Sequence, residues 1–190
     1  MKEILKEIYK QELDKGYADL EIPSEFLKEG YVYKTSKGYK LTEKGRRKIK
    51  VVACGGVFDI LHPGHGFFLE KAKEYGDFLV VIVARDSTVK KKKRIPIIPE
   101  KQRVEMLKYL KPVDIAILGT EGHFLDIIEK ILPDIIVLGP DQNFDEKELE
   151  KELKKRGLKI EIKRIEEYKN CPLHSTREIL KKIVEKRVFT

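Results

Sequence analysis

From Ile49 onward, short apolar runs alternate with amphipathic stretches, and this alternation leaves few architectures open. Five runs have strand length: KVVACG, FLVVIVA, DIAILG, DIIVLG and KIEIKRI. The first four are almost continuously apolar, as strands covered on both faces must be. Helical periodicity fits the intervals 64–75, 100–110, 123–131 and 145–156, and a last helix is predicted over 175–187. Strands and helices in strict alternation form a parallel sheet with right-handed crossovers and helices on both sides. The predicted fold is therefore α/β, a Rossmann-like doubly wound parallel sheet. Such sheets bind ligands beyond the carboxyl ends of the strands, near the point where strand order reverses.

Residues 1–48 read differently, and a boundary is placed between 48 and 49. Ile4, Leu5 and Ile8 share one helical face, and Pro23 and Ser24 open a second, short helix. A strand, a turn over Ser36 to Gly38, a second strand and a short basic helix follow. The segment LKEGYV, with the later LTEKG, resembles the C-terminal half of a winged-helix domain, but there is no room for a complete three-helix core. The expected unit is a small α+β winged-helix-like appendage. Such pieces serve as dimer contacts or lids, so a homodimer is one expected arrangement. The basic residues Lys44, Arg46, Arg47, Lys48 and Lys50 raise a different class of function, a nucleotide-sensing regulator that contacts DNA phosphates.

Other classes are excluded by composition. No run of eighteen apolar residues exists, and the first residues alternate acid with base, so neither a membrane span nor a secretory signal is expected. Cys54 and Cys171 are too few for a disulfide framework and wrongly spaced for a zinc site. The expected setting is a reducing cytoplasm. Both thiols fall near ends of predicted strands, where they would pack or face the substrate, and oxidation there would inhibit. Abundant Lys and Glu beside five Asn and Gln is the bias of heat-adapted proteins. The net charge of +8 arises from 40 bases against 32 acids, a mixed surface compatible with polyphosphate ligands.

The chemistry concentrates in GGVFDILHPGH, residues 55–65. Gly55 and Gly56 close the first strand and let backbone approach a ligand. Pro63 suits the first position of a helix, which makes His62 its cap and puts His65 in the same first turn. The unpaired N–H groups and positive dipole end of that helix then face the same way as two imidazoles, forming an anion site. A packed or capping histidine, or a metal pair at i and i+3, is the alternative reading of the histidines alone.

This stretch resembles the GxFDxxHxGH signature of nucleotidyltransferases of the cytidylyltransferase-like superfamily, whose histidine pair holds the phosphates of a nucleoside triphosphate. The resemblance implies nucleotide contacts from Gly55, Val57, Phe58 and Asp59. Further along, VARDSTVKKKKRIPIIPEKQRVEML is similar to the segment that supplies a lysine and an arginine to the phosphates. Lys91 and Arg103 take these roles, with Lys90, Lys92 and Lys93 as alternatives for the lysine. VLGPDQ, residues 137–142, resembles the turn that holds base and ribose, which points to Gly139, Asp141 and Gln142. CPLHSTREIL occupies the place of a triphosphate-contacting motif at a helix N-terminus and brings in His174, Ser175 and Thr176. Ser175 with Glu178 is also a capping box. Lys169, Asn170, Cys171 and Pro172 stand where the cytidylyltransferase form carries Arg-Thr-Glu-Gly, which argues against a simple glycerol-phosphate enzyme.

The implied reaction is attack by an acceptor phosphate on the α-phosphorus of ATP or CTP, with Mg²⁺ on the triphosphate and pyrophosphate leaving. His62, His65 and Lys91 are the expected catalytic residues, and no protein metal ligand is expected. Taken together, FDILHPGH, IVARDSTV, PDIIVLGPDQNFDE and CPLHS are most similar to the archaeal FAD synthase family, so FMN is the expected acceptor. An alcohol phosphate with CTP, or phosphopantetheine with ATP, is the alternative of the same chemistry.

Overall fold

The computed structural model describes residues 1–91 and 95–186. The first 48 residues form α1 (Lys2–Lys15), α2 (Ser24–Lys28), the antiparallel hairpin β1 (Val32–Thr35) and β2 (Gly38–Leu41), and α3 (Glu43–Arg46). The larger part follows in the order β3 (Val51–Gly56), α4 (Pro63–Lys73), β4 (Phe78–Val83), α5 (Asp86–Lys91), α6 (Glu100–Lys108), β5 (Ile115–Leu118), α7 (Phe124–Ile131), β6 (Ile135–Leu138), α8 (Glu146–Lys155), β7 (Glu161–Arg164) and α9 (Thr176–Glu185). The sequence reading missed α5. It lies in the lysine-rich stretch, where charge hides the single buried position, Val89.

Strands β3 to β7 pair in parallel in the order β5-β4-β3-β6-β7. Strand order reverses between β3 and β6, so the switch point lies where GGVFD and GPDQ leave the sheet.

Alternate residues of each strand supply the two faces, as the period of two requires. Val51, Ala53, Val80, Ile82, Ile115, Ile136 and Leu138 share one apolar cluster with Leu125 and Ile128 of α7 and Leu149 and Leu153 of α8. Val52, Cys54, Leu79, Val81, Ala116 and Val137 pack on the other side with Leu69 and Ala72 of α4 and Leu107 of α6. In β4 and β6 every residue is apolar and buried, so neither face of the sheet can be left in water there.

The N-terminal segment has no separate core. Leu5, Ile8, Tyr9, Leu13, Phe26 and Val32 belong to the same cluster as the first sheet face. Tyr9 packs edge-on against Phe78 at 5.2 Å, and its hydroxyl donates to the Ile131 carbonyl. Arg46 donates to the carbonyls of Ile49 at 2.9 Å and Leu132 at 2.7 Å and pairs with Asp134 at 3.1 Å. Lys2 pairs with Asp77 at 2.9 Å. Phe78, Asp77 and Asp134 all stand at the amino ends of strands, so these contacts hold the segment at the end of the sheet away from the switch point. Several of its basic residues are engaged internally: Arg46 as above, Arg47 with Glu43, and Lys44 with the Glu29 carbonyl. Among the described residues, no helix is long and apolar enough to cross a membrane.

Candidate active site

The site begins where β3 ends. A side chain at Gly56 would come within 2.8 Å of the Phe58 ring, so only glycine lets that ring fold back beneath the strand end. Phe58 is buried and takes a left-handed backbone with φ of 50°, which reverses the chain toward α4. Its ring packs 5.3 Å from that of His65. His62 caps α4, Pro63 takes the first helical position, and the His62 carbonyl accepts the N–H of His65 at 2.9 Å. The rings of His62 and His65 stack with centroids 3.8 Å apart. Two imidazoles and the amide end of a helix therefore share one location, as the spacing of the motif predicts.

A second helix start abuts the first. A side chain at Gly64 would lie 3.0 Å from His62 Nδ1 and at ordinary contact distance, 3.5 Å, from the His174 carbonyl, so α4 starts directly against the residues before α9. Ser175 caps α9, its hydroxyl accepting the Glu178 N–H, while the Glu178 carboxylate accepts the His174 N–H at 3.2 Å. The predicted capping pair forms, with the return bond one residue earlier than in the standard box. Thr176 is buried at the first position of α9. His174 Nδ1 lies 3.1 Å from the Glu178 carboxylate.

Burial pushes the His62 imidazole below its ordinary value, and the charge of His174 adds to this; Asp141 and Glu178 pull the other way. The Nδ1 of His62 is buried without a hydrogen-bond partner among the described residues. This imidazole lies beside two helix amino ends, and an arriving anion would favour its protonated form.

On the other side of the switch point, Gln142 links the two strand ends. Its amide accepts the Gly139 N–H at 3.0 Å and donates to the Gly55 carbonyl. Asp141 is exposed at the tip of the same turn. The structure thus gathers Gly55, His62, His65, Gly139, Asp141, Gln142 and His174 around the switch point of the sheet. Lys91 stands exposed on the last turn of α5 beside Lys90, and Lys92 and Lys93 lie outside the described residues.

Two expectations take a different form. Arg103 is 1% exposed and donates to the carbonyls of Ile98 at 2.9 Å, Val57, and Ala84 at 2.8 Å, and to Asp86 at 2.7 Å. Its guanidinium is enclosed by protein acceptors where a phosphate contact was expected. Asp59, also buried, accepts the N–H groups of Ile97 and Ile98 at 2.8–3.0 Å, which fastens the chain ahead of α6 to the loop after β3. Of its two expected places Cys54 takes the packed one, in the cluster under α4, where burial pushes its thiol far up.

Sequence reasoning also missed a pair that joins the starts of α5 and α6. Asp86 and Glu100 cap each other's helices: the Asp86 N–H donates to the Glu100 carboxylate at 2.7 Å and the Glu100 N–H to the Asp86 carboxylate at 3.3 Å. Burial raises the Asp86 carboxyl, but the Arg103 hydrogen bond, the Glu100 N–H and the charges of Arg103 and Lys90 outweigh it and hold it below the usual range. An acid opening each of two helices was the available signal; the pairing is tertiary.

This assembly coincides with a known family pattern, since the cytidylyltransferase-like family matches residues 53–182. The chain belongs to the cytidylyltransferase-like family. Its curated relatives include an FAD synthase from Methanothermus fervidus, 64% identical over 131 residues, a match that covers 67% of this chain and 90% of the relative. An FAD synthase from Methanothermobacter marburgensis is 55% identical over 141 residues, covering 73% and 88%. Among solved structures, a lipopolysaccharide core biosynthesis protein from Thermoplasma volcanium is 47% identical with a TM-score of 0.63, covering 64% of this chain and 99% of that one. The family match begins in β3, so the cytidylyltransferase-like unit of this chain is the sheet with its helices, and the segment packed under its amino end lies outside the match.

Proposed function

We propose that this chain transfers the adenylyl group of ATP to the phosphate of FMN, forming FAD and releasing pyrophosphate. The observation that carries the proposal is the stacked pair His62 and His65 at the start of α4, directly against the start of α9, at the switch point of the sheet. The FAD synthases among the relatives supply the acceptor.

In the reaction, an oxygen of the FMN phosphate attacks the α-phosphorus, the new P–O bond forms, and the bond to the bridging α–β oxygen breaks. The attacking oxygen is already anionic, so no side chain need deprotonate it. What the protein must do is bring two anions together and stabilise charge on the equatorial oxygens. The amino ends of α4 and α9 aim N–H groups and positive dipole ends at that position. His62 and His65 add donors where charge develops, and a lysine of the run at the end of α5, Lys91 in our assignment, neutralises the chain of phosphates. The turn 139–142 receives base and ribose. Among the described residues, no three His, Cys, Asp or Glu side chains group so as to hold a metal ion. In this proposal Mg²⁺ arrives with the triphosphate as part of the substrate.

The test is mass-spectrometric detection of product from purified, reduced protein with Mg²⁺ and FMN, given ATP or CTP in parallel. FAD is the expected product, and the cytidine analogue from CTP would show which base the turn accepts. Folded protein that makes neither overturns FMN as the acceptor. Replacing His62 or His65 by Ala is expected to lower turnover by roughly 10² or more with the fold retained; near-normal turnover in both variants removes them from the mechanism.

A further inference from the structure

Arg164 closes β7, and four of its contacts converge on the turn after β6. One terminal nitrogen donates to the carbonyls of Gly139 at 2.9 Å and Gln142 at 3.0 Å, and the other donates to that of Phe144 at 2.9 Å. Its Nε pairs with Glu146 at 2.6 Å, at the first position of α8. The turn is also closed on itself, Gln142 donating to the Gly139 carbonyl at 3.3 Å and Phe144 to that of Gln142 at 2.8 Å. From the opposite side, the Gln142 side chain reaches the Gly55 carbonyl on β3.

Strand order gives these contacts a direction. The turn leaves β6, which lies between β3 and β7. Arg164 draws the Gly139 and Gln142 carbonyls toward the β7 side. The Gln142–Asn143 peptide is trans, so the N–H of Asn143 points opposite to the Gln142 carbonyl, toward β3 and the switch point. A planar guanidinium with five donors can hold three carbonyls and a carboxylate in one arrangement, which an ammonium cannot.

We infer that Arg164 is a positioning residue for the nucleotide: it holds the Gly139, Gln142 and Phe144 carbonyls on the β7 side and leaves the Asn143 N–H facing base and ribose. The inference rests on the reading of this turn as the nucleotide site, and it requires no particular acceptor.

The test is calorimetric titration of a non-hydrolysable ATP analogue into the full chain, without FMN, for wild type, Arg164→Met, Arg164→Lys and Glu146→Gln. Steady-state KM for ATP and for FMN, and thermal melting, are measured alongside. Arg164→Met is expected to weaken analogue binding about tenfold or more, as the loss of one charge-assisted contact set would. KM for ATP should rise in step while KM for FMN stays within about twofold. Arg164→Lys should recover only part, and Glu146→Gln should shift affinity in the same direction by less. If Arg164→Met does not fold, the other two variants carry the test. Analogue affinity within twofold of wild type in Arg164→Lys and Glu146→Gln, or equal losses for both substrates that track melting, would overturn the assignment. No FAD formation together with weakened analogue binding in Arg164→Met would sink the acceptor and leave this inference standing.

Discussion

Replacing Arg103 by Met separates two roles for this residue, a phosphate ligand and an internal strut. The side chain is 1% exposed, and its donors serve three carbonyls from separate segments: Val57 after β3, Ala84 after β4 and Ile98 before α6. Met fills most of the volume but returns no donor. Each buried carbonyl that loses a charged donor contributes about 1 kcal/mol or somewhat more. Asp86 is less affected: its side chain is 32% exposed, so water replaces much of what the guanidinium supplied. The sum is about 3–5 kcal/mol, the range for breaking one partner out of a buried charged network. Against a typical total of about 5–15 kcal/mol, that is a large share of stability.

Urea unfolding followed by circular dichroism reads this loss directly, as a lower midpoint at unchanged slope. For a chain of this length the melting temperature should fall by roughly 10 °C. Arg103→Lys should lose most of the same stability, because an ammonium cannot reach three carbonyls set around a plane. A loss below about 1 kcal/mol, accompanied by a large drop in nucleotide affinity, would refute the strut and restore Arg103 as a phosphate ligand.

Other outcomes are expected. Gly64→Ala should lower turnover while leaving the fold intact, since the added carbon meets the His62 ring at 3.0 Å; Gly66→Ala, with nothing within 4 Å, should keep activity and gain about 0.5–1 kcal/mol, both read by steady-state rates and melting. Arg46→Met should destabilise by about 1–2 kcal/mol in urea unfolding and leave KM for ATP unchanged, because its contacts tie the N-terminal segment to the end of the sheet away from the cleft. The depressed His62 imidazole binds a proton less readily than the unfolded chain, so its contribution to stability is complete at pH 8 and is lost as pH falls below about 6.5. Triphosphate binding should reverse the depression, and calorimetry near pH 6.5 in buffers of different ionisation enthalpy should find proton uptake that His62→Gln removes; no uptake in wild type would contradict it.

How much of this was legible in the sequence depends on the range over which each signal acts. Strands β3 to β6 could be read because continuous apolar runs admit only a sheet covered on both faces, and the two clusters that form are what that pattern demands. The start of α4 could be read because proline, glycine and two histidines fix a cap and a first turn within a few residues. The internal contacts of Arg103 and Asp59 were not legible, for the opposite reason. The family resemblance placed them at the nucleotide, while their partners here are mostly backbone groups of segments up to 46 residues away, which no local pattern encodes. Arg164 gave no signal at all, being one more basic residue at the end of a strand. The same limit applied to the 48/49 boundary, where a change of pattern is real but the apolar cluster runs across it. Motif residues declare themselves because they must sit together in the chain to build a helix end. The residues that aim the motif come from wherever the fold happens to pass, so a charged side chain beside a motif is as apt to be a strut as a ligand until its acceptors are known.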